Sequence, residues 1–253
     1  MYLNNNTNGT YTVSDGQSAT LHYGKHTNQN TEHELRTTNR FDIRPIKPLL
    51  IAAEYTYKFR YREYANRQVN VPYSTGPGRI ELLNTGYWED YYQEQHYRTH
   101  DHNVNVYATY EDTFKDAHHL TVMAGTQYET WREESVKMCK QDLATEDLSA
   151  FNLASGEVTT SSGSINEWST LGFFGRINYD YKGRYLFEFS ARGDGSSRFA
   201  PSKRWGFFPS GSLGWRMSEE NWWAPVANVW SNNKIRFSAG SLGNQSISDY
   251  YTY

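Results

Sequence analysis

The segment from Ile51 to Arg62 alternates strongly. Ile51, Ala53, Tyr55, Tyr57, Phe59 and Tyr61 fall on one parity, and Glu54, Thr56, Lys58, Arg60 and Arg62 on the other. Successive side chains of an extended chain point to opposite faces, so this pattern predicts a strand with one apolar and one charged face. Such a run exceeds the ~5–6 residues usual in globular sheets and reaches the ~9–11 needed to cross a bilayer at a tilt. The same period predicts further strands at about 37 to 45, 96 to 110, 118 to 132, 168 to 180, 184 to 193, 206 to 216 and 233 to 243.

The connections alternate in length. Pro45 to Pro48, Glu111 to Ala117 and Tyr181 to Gly183 are tight, whereas 64 to 95, 133 to 167 and 194 to 205 are long, polar and rich in Gly, Ser, Thr and Asn. Outer-membrane barrels have this asymmetry, with short periplasmic turns and long extracellular loops; a soluble sandwich has no reason to keep it. The expected fold is therefore all-β, an antiparallel transmembrane β-barrel present in part. On the short side, Met217 to Asn232 carries Glu219, Glu220, Trp222, Trp223, Pro225 and Trp230. It predicts a short helical turn capped by Ser218, with its tryptophans tucked under the barrel rim at the lipid interface. A second helical turn is expected around Leu143, Leu148 and Phe151.

Both strands flanking Lys182-Gly183 put apolar residues at odd positions, so paired positions must sum to an even number, which excludes a two-residue loop. A three-residue loop Tyr181-Lys182-Gly183 sets Asp180 opposite Arg184 and Arg176 opposite Glu188. On the apolar face it sets Tyr179 against Tyr185, Ile177 against Phe187, and Phe189 over the bare backbone of Gly175.

Composition agrees with strands in lipid. Hydrophobic residues are 37% and aromatics 16%, with Tyr 21, Phe 12 and Trp 8; rings with polar tips suit a membrane interface, and a soluble core wants more aliphatics. No window holds the ~18 uninterrupted apolar residues of a spanning helix. A net charge of −3 without a basic block gives no support for a nucleic-acid partner. The single cysteine, Cys139, permits no disulfide framework within the chain and is expected to be an inert thiol in a loop. Met1 through Thr12 lacks a basic and then apolar export pattern, so an internal stretch of a larger protein is expected.

Six blocks carry a family resemblance: GFFGRINYDY (Gly172 to Tyr181), KGRYLF (Lys182 to Phe187), DGSSRF (Asp194 to Phe199), GFFPS (Gly206 to Ser210), GWRMSEE (Gly214 to Glu220) and KIRFSAGSLGNQ (Lys234 to Gln245). Together they resemble the barrel of SusC/RagA TonB-linked outer-membrane transporters, with looser similarity at Tyr87 to Tyr92 and Leu120 to Tyr128. The resemblance implies about eight or nine strands of a ~22-stranded plugged barrel. It implies an outer membrane of a Gram-negative, Bacteroidota-type bacterium, import of oligosaccharides or peptides, a SusD-like surface lipoprotein lid, and TonB coupling that displaces the plug. The plug domain, TonB box, signal peptide and closing strands are expected to lie outside this chain. Within the chain, Arg176, Glu188, Arg192, Arg216 and Arg236 are the expected lumen-facing residues, and Asp194, Gly195, Ser196, Ser197 and Arg198 an ordered extracellular loop in which Gly195 bends the chain and Arg198 pairs locally.

Other chemistries are weaker. His96, His100 and His102 share a parity beside Asp101, but an extended strand spreads 96 and 102 by ~20 Å, so a polar lumen face or loop base is expected rather than a metal site. His118-His119 is expected in a turn. The acid pairs Glu32 and Glu34, Glu133 and Glu134, and Glu219 and Glu220 invite a glycosidase reading, yet adjacent acids on a strand face opposite ways. No nucleophile elbow, zinc-protease or P-loop pattern occurs, so no enzyme, cofactor or metal is expected. Trp88, Tyr91, Tyr92, Trp131 and Trp168 are expected as girdle residues at the outer interface, with stacking on sugar rings as the alternative. The rival function is a soluble all-β carbohydrate-binding module, which would pack its tyrosine and phenylalanine rows against a second sheet.

Overall fold

The computed structural model of the protein describes residues 4–5, 11–12, 24–83 and 90–245. Eight long strands form one sheet: β1 (Thr27–Ile46), β2 (Leu49–Gln68), β3 (Tyr91–Phe114), β4 (His118–Gln141), β5 (Val158–Tyr181), β6 (Tyr185–Ser196), β7 (Trp205–Arg216) and β8 (Lys234–Gly240). Each neighbours the next in sequence, so the sheet is a meander from β8 to β1. Every strand expected from the alternation is present.

Most run further than expected, chiefly on the long-loop side. β3, β4 and β5 each have 24 residues, which at ~3.3 Å per residue is more than twice what a bilayer crossing needs. The extensions were hidden because no continuous apolar row marks them. Val158 to Asn166 is mostly Thr, Ser and Gly, held by contacts such as Ser135 Oγ to Ser164 Oγ at 2.8 Å. Loops expected at 64 to 95 and 133 to 167 therefore shrink. Between β2 and β3 lie two further strands, Val71–Gly76 and Arg79–Leu83, which share a small sheet with Asn4–Asn5 and Tyr11–Thr12.

The chain divides into two compact units that cut across the long strands. The first comprises Met1–Leu35, Phe59–Thr99 and Glu133–Asn166. Its core holds Val69, Val71, Tyr92, Cys139 and Ala154. Cys139 is thus a buried strand residue of β4 and not a loop thiol. Tyr92 packs on Phe151, ring centroids 5.2 Å apart. Phe151–Leu153 is a single 3-10 turn, while Leu143 bridges to Ala154 and Leu148 is exposed. Buried Arg67 donates to the Lys25 carbonyl, and Lys25 pairs with Asp147.

The second unit comprises Arg36–Lys58, His100–Arg132 and Glu167–Tyr253. Two of its tight turns share one geometry. Lys115 and Asp116, and likewise Lys182 and Gly183, take positive φ, and Ala117 N and Arg184 N donate to the Phe114 and Tyr181 carbonyls. Two successive left-handed residues match the twist of the flanking strands.

The β5–β6 register corrects the expected one. The pairs are Tyr181 with Tyr185, Tyr179 with Phe187, Ile177 with Phe189, Asn178 with Glu188 and Gly175 with Ala191. The parity stands, but the ladder is displaced by two residues and the loop is Lys182-Gly183-Arg184. The charges thought to pair across the turn are used elsewhere: Asp180 accepts from Gly183 N, and Arg184 reaches Glu220.

The Met217 to Asn232 segment forms two 3-10 turns, Met217–Glu219 and Asn221–Val226. Ser218 does not cap them; its hydroxyl donates to the Asn233 carbonyl. Trp215, Trp222, Trp223 and Trp230 form a chain of edge contacts at 6.2, 5.4 and 5.4 Å, and Trp223 is buried with its Nε1 donating to the Trp230 carbonyl.

Candidate functional site

The register separates two faces of the second unit. Phe187 lies between Tyr179 and Leu213, Leu213 pairs with Phe237, Tyr185 lies between Tyr181 and Trp215, and Trp215 pairs with Ile235. This row continues in Ile177, Phe173, Phe189, Phe207 and Trp205, all exposed, with Phe207 at 68% and Phe237 at 73% of their full accessibility. No second sheet covers it among the described residues. A contiguous exposed apolar face of this kind marks a lipid or protein contact.

Arg176, Glu188, Arg192, Arg216 and Arg236 all sit at even positions on β5 to β8 and so share the opposite, charged face. Arg176 faces Ser190 across the ladder, Glu188 lies between Asn178 and Ser212, and Arg216 faces Lys234. Arg236 Nη2 donates to Ser212 Oγ at 3.2 Å. Arg192 is the most tightly held: Nε meets both Asp194 oxygens at 2.7 Å and Nη2 meets Gln127 Oε1 at 2.7 Å.

Asp194 to Ser196 closes β6 and does not start a loop. Gly195 does not bend the chain. It pairs with Leu171 and Trp205, and a Cβ there would sit 2.9 Å from the Trp205 indole, so the glycine lets the ring lie on bare backbone. Ser197 Oγ accepts from Ser169 N, while Ser196 Oγ accepts from Arg198 N. Arg198 stacks its guanidinium 4.5 Å from the Trp168 ring and donates to the Gln245 carbonyl.

Several side chains lie on the face opposite to the expected one. Trp131 and Trp168 stack at 6.1 Å with a 16° interplanar angle, at odd and even positions on the charged side, so they are not girdle residues. Their strands showed it: apolar Leu120, Val122 and Ala124 on β4 are even, and Phe173, Ile177 and Tyr179 on β5 are odd. His100 and His102 bond through Nδ1 to the Tyr57 and Tyr55 hydroxyls, both at 2.9 Å, which places them on the tyrosine face and not on a polar lumen face. In the first unit His96 does the same with Tyr61 at 2.8 Å. Val104, Val106 and Ala108, at the same parity, carried that signal. His118 and His119 begin β4 and are not a turn; His118 meets the Tyr179 hydroxyl at 2.7 Å. Glu32 and Glu34 both serve Arg60. Trp88 lies outside the described residues.

At the turn end, Glu220 collects the Tyr185 hydroxyl at 2.7 Å, Trp215 Nε1 at 3.1 Å and Arg184 Nη1 at 3.3 Å. The Tyr185 and then Trp215 hydrogen bonds, with Arg184 beside them, hold its carboxyl below the usual range. A depressed carboxylate contributes stability above the unfolded pKa and loses it as pH falls through the folded one. Glu220→Gln in the full-length protein is therefore expected to lower the unfolding temperature in detergent at neutral pH, with the gap closing once acid protonates wild-type Glu220. A gap that persists unchanged into acid would point to packing instead.

No protein-family model matches the chain. Among curated proteins, TonB-dependent receptor P3 of Formosa agariphila is 39% identical over 147 residues, covering 58% of this chain and 14% of the relative. TonB-dependent receptor SusC of Bacteroides thetaiotaomicron is 49% identical over 83 residues, covering 33% of this chain and 8% of the relative. The chain thus spans a small part of the length of each. Among solved structures, the RagAB peptide transporter superposes with a TM-score of 0.72 at 19% identity, covering 89% of this chain and 24% of that one. At that identity the likeness is one of fold.

Proposed function

We propose that this chain, which is similar to TonB-dependent receptors of the SusC/RagA kind, forms part of the barrel wall of an outer-membrane nutrient importer. The exposed aromatic face meets lipid, and the face of Arg176, Glu188, Arg192, Arg216 and Arg236 borders the hydrated lumen. The observation that carries this is the continuous exposed row from Tyr181 and Tyr185 through Phe187 and Leu213 to Phe237, because a soluble carbohydrate-binding module would bury such a row. Strand extensions beyond the bilayer carry the wall outward toward a SusD-like lipoprotein and cargo, and TonB acts through parts of the receptor outside this chain. The cargo is an oligosaccharide or peptide, and the setting is the outer membrane of a Bacteroidota-type bacterium.

Deleting the whole receptor gene in its own bacterium is expected to abolish growth and labelled-substrate uptake on one such nutrient as sole source, with recovery on complementation. Unchanged growth and uptake on every oligosaccharide and peptide source would remove the importer assignment.

A further inference from the structure

A concavity of about 290 Å³ opens on the charged face of the second unit, where β4, β6 and β7 meet the segment after β8. We propose that it is a subsite for one sugar ring of an oligosaccharide, with Phe208 as apolar floor and Gln127, Glu129, Arg192 and Asp194 as partners for ring hydroxyls. This rests on the importer assignment and narrows its cargo.

The lining has the two surfaces a pyranose needs. A sugar ring shows an apolar C–H face and a rim of hydroxyls that both donate and accept. Phe208 supplies a flat apolar surface. Planar amide, carboxylate and guanidinium groups supply fixed donors and acceptors, and Asn244 adds a further amide.

The partners are set before any ligand arrives. Arg192 is locked between Asp194 and Gln127. With its carbonyl committed to Arg192, Gln127 turns to its amide hydrogens for donation. Three glycines keep the arrangement open. A Cβ at Gly172 would fall 2.4 Å from Asp194 Oδ1, and at Gly206 and Gly243 it would fall 2.5 and 2.2 Å from the Phe208 ring. Preorganisation of this kind limits the entropy lost on binding.

Peptide and simple anion ligands fit less well. β4 to β6 are paired along both edges and β7 is paired with β8 from Ser210 to Arg216, so only the short Trp205 to Phe208 end of β7 lies outside that ladder, less than an extended peptide needs for strand addition. Glu129 and Asp194 oppose an anion, while Arg192 is already neutralised by Asp194. Lys203 and Arg204 stand at the exposed rim, and Arg204 Nε is engaged by the Phe199 carbonyl.

The test uses the full-length receptor, purified in detergent, on a printed array of neutral and uronate-containing oligosaccharides beside a defined peptide pool. Retention of a glycan is expected, and titration calorimetry with the strongest array ligand should show at least ~10-fold weaker binding for Phe208→Ala and for Gln127→Ala, each losing one good contact. Thr121→Ala on the same face should bind as wild type. Gln127→Ala leaves the strand backbone and the Phe208 ring untouched, so it decides the matter if Phe208→Ala does not assemble. Retention of peptides alone, no retained glycan, or wild-type affinity in folded Gln127→Ala overturns the sugar subsite. A receptor that binds peptides and still supports uptake keeps the importer assignment; loss of the subsite and loss of that assignment are thus told apart.

Discussion

Phe189→Arg in the full-length receptor is expected to cost about 2–4 kcal/mol of folding free energy and to remove most of the protein from the outer membrane. Phe189 lies between Ile177 and Gly211 on the exposed apolar row, midway along β6 between Tyr185 and Gly195. If lipid covers this row, Phe189 sits near the bilayer midplane, where a guanidinium can neither snorkel to water nor find a partner. Asn178→Arg is the matched control at nearly the same depth. It lies on the other face and pairs directly with Glu188, so a new arginine gains an opposite charge and the change should stay within about 1 kcal/mol. Folded fraction is read from heat-modifiable migration on gels, and abundance from outer-membrane fractions. Equal tolerance of the two arginines would sink the face assignment.

That contrast depends on parity, and parity is what the sequence carried best. Ile51 to Tyr61 named the apolar side of β2 without help, because lipid and water impose opposite demands on alternate positions. Where the demand stops, legibility stops. The Ser- and Thr-rich start of β5 carries no apolar row and the Val136 to Gln141 end of β4 buries only Cys139, and their strand character comes from cross-strand partners that a single sequence does not display. The β5–β6 register failed differently. Asp180 opposite Arg184 and Arg176 opposite Glu188 made a plausible charge ladder, but Asp180 binds the Gly183 amide and Arg184 is drawn to Glu220, a residue in the next turn. Local charge matching cannot weigh a competitor so far along the chain.

The concavity beside Arg192 was legible only in pieces. Arg192 and Asp194 were named, as were Ser196 and Arg198, yet Gln127 and Phe208 were not, since they come from β4 and β7 and meet Arg192 only through the meander. Trp131 and Trp168 show the opposite fault. Their type suggested a girdle, while the even apolar positions of β4 and the odd ones of β5 already placed them on the charged side.

Gly125→Val is expected to destabilise the receptor by about 1–3 kcal/mol through overpacking. A Cβ at this position would meet Tyr107 Cβ at 2.5 Å, the Val106 carbonyl at 2.6 Å and Phe174 Cζ at 2.7 Å. Two of these atoms are fixed to the neighbouring backbone, so relief requires β3 and β4 to part. The glycine exists to let Tyr107 and Phe174 lie over the strand, where Arg40 reaches the Tyr107 ring at 5.8 Å. Gly175→Ala provides the comparison, because its Cβ would find only the Met123 carbonyl at 3.6 Å, an ordinary contact. Removing glycine from a strand there should be neutral or stabilising by up to about 1 kcal/mol. Unfolding midpoints of both variants in the same detergent separate close approach from the general cost of glycine; a Gly125→Val receptor as stable as Gly175→Ala would show that β3 and β4 do not meet as closely as the Tyr107 contact requires.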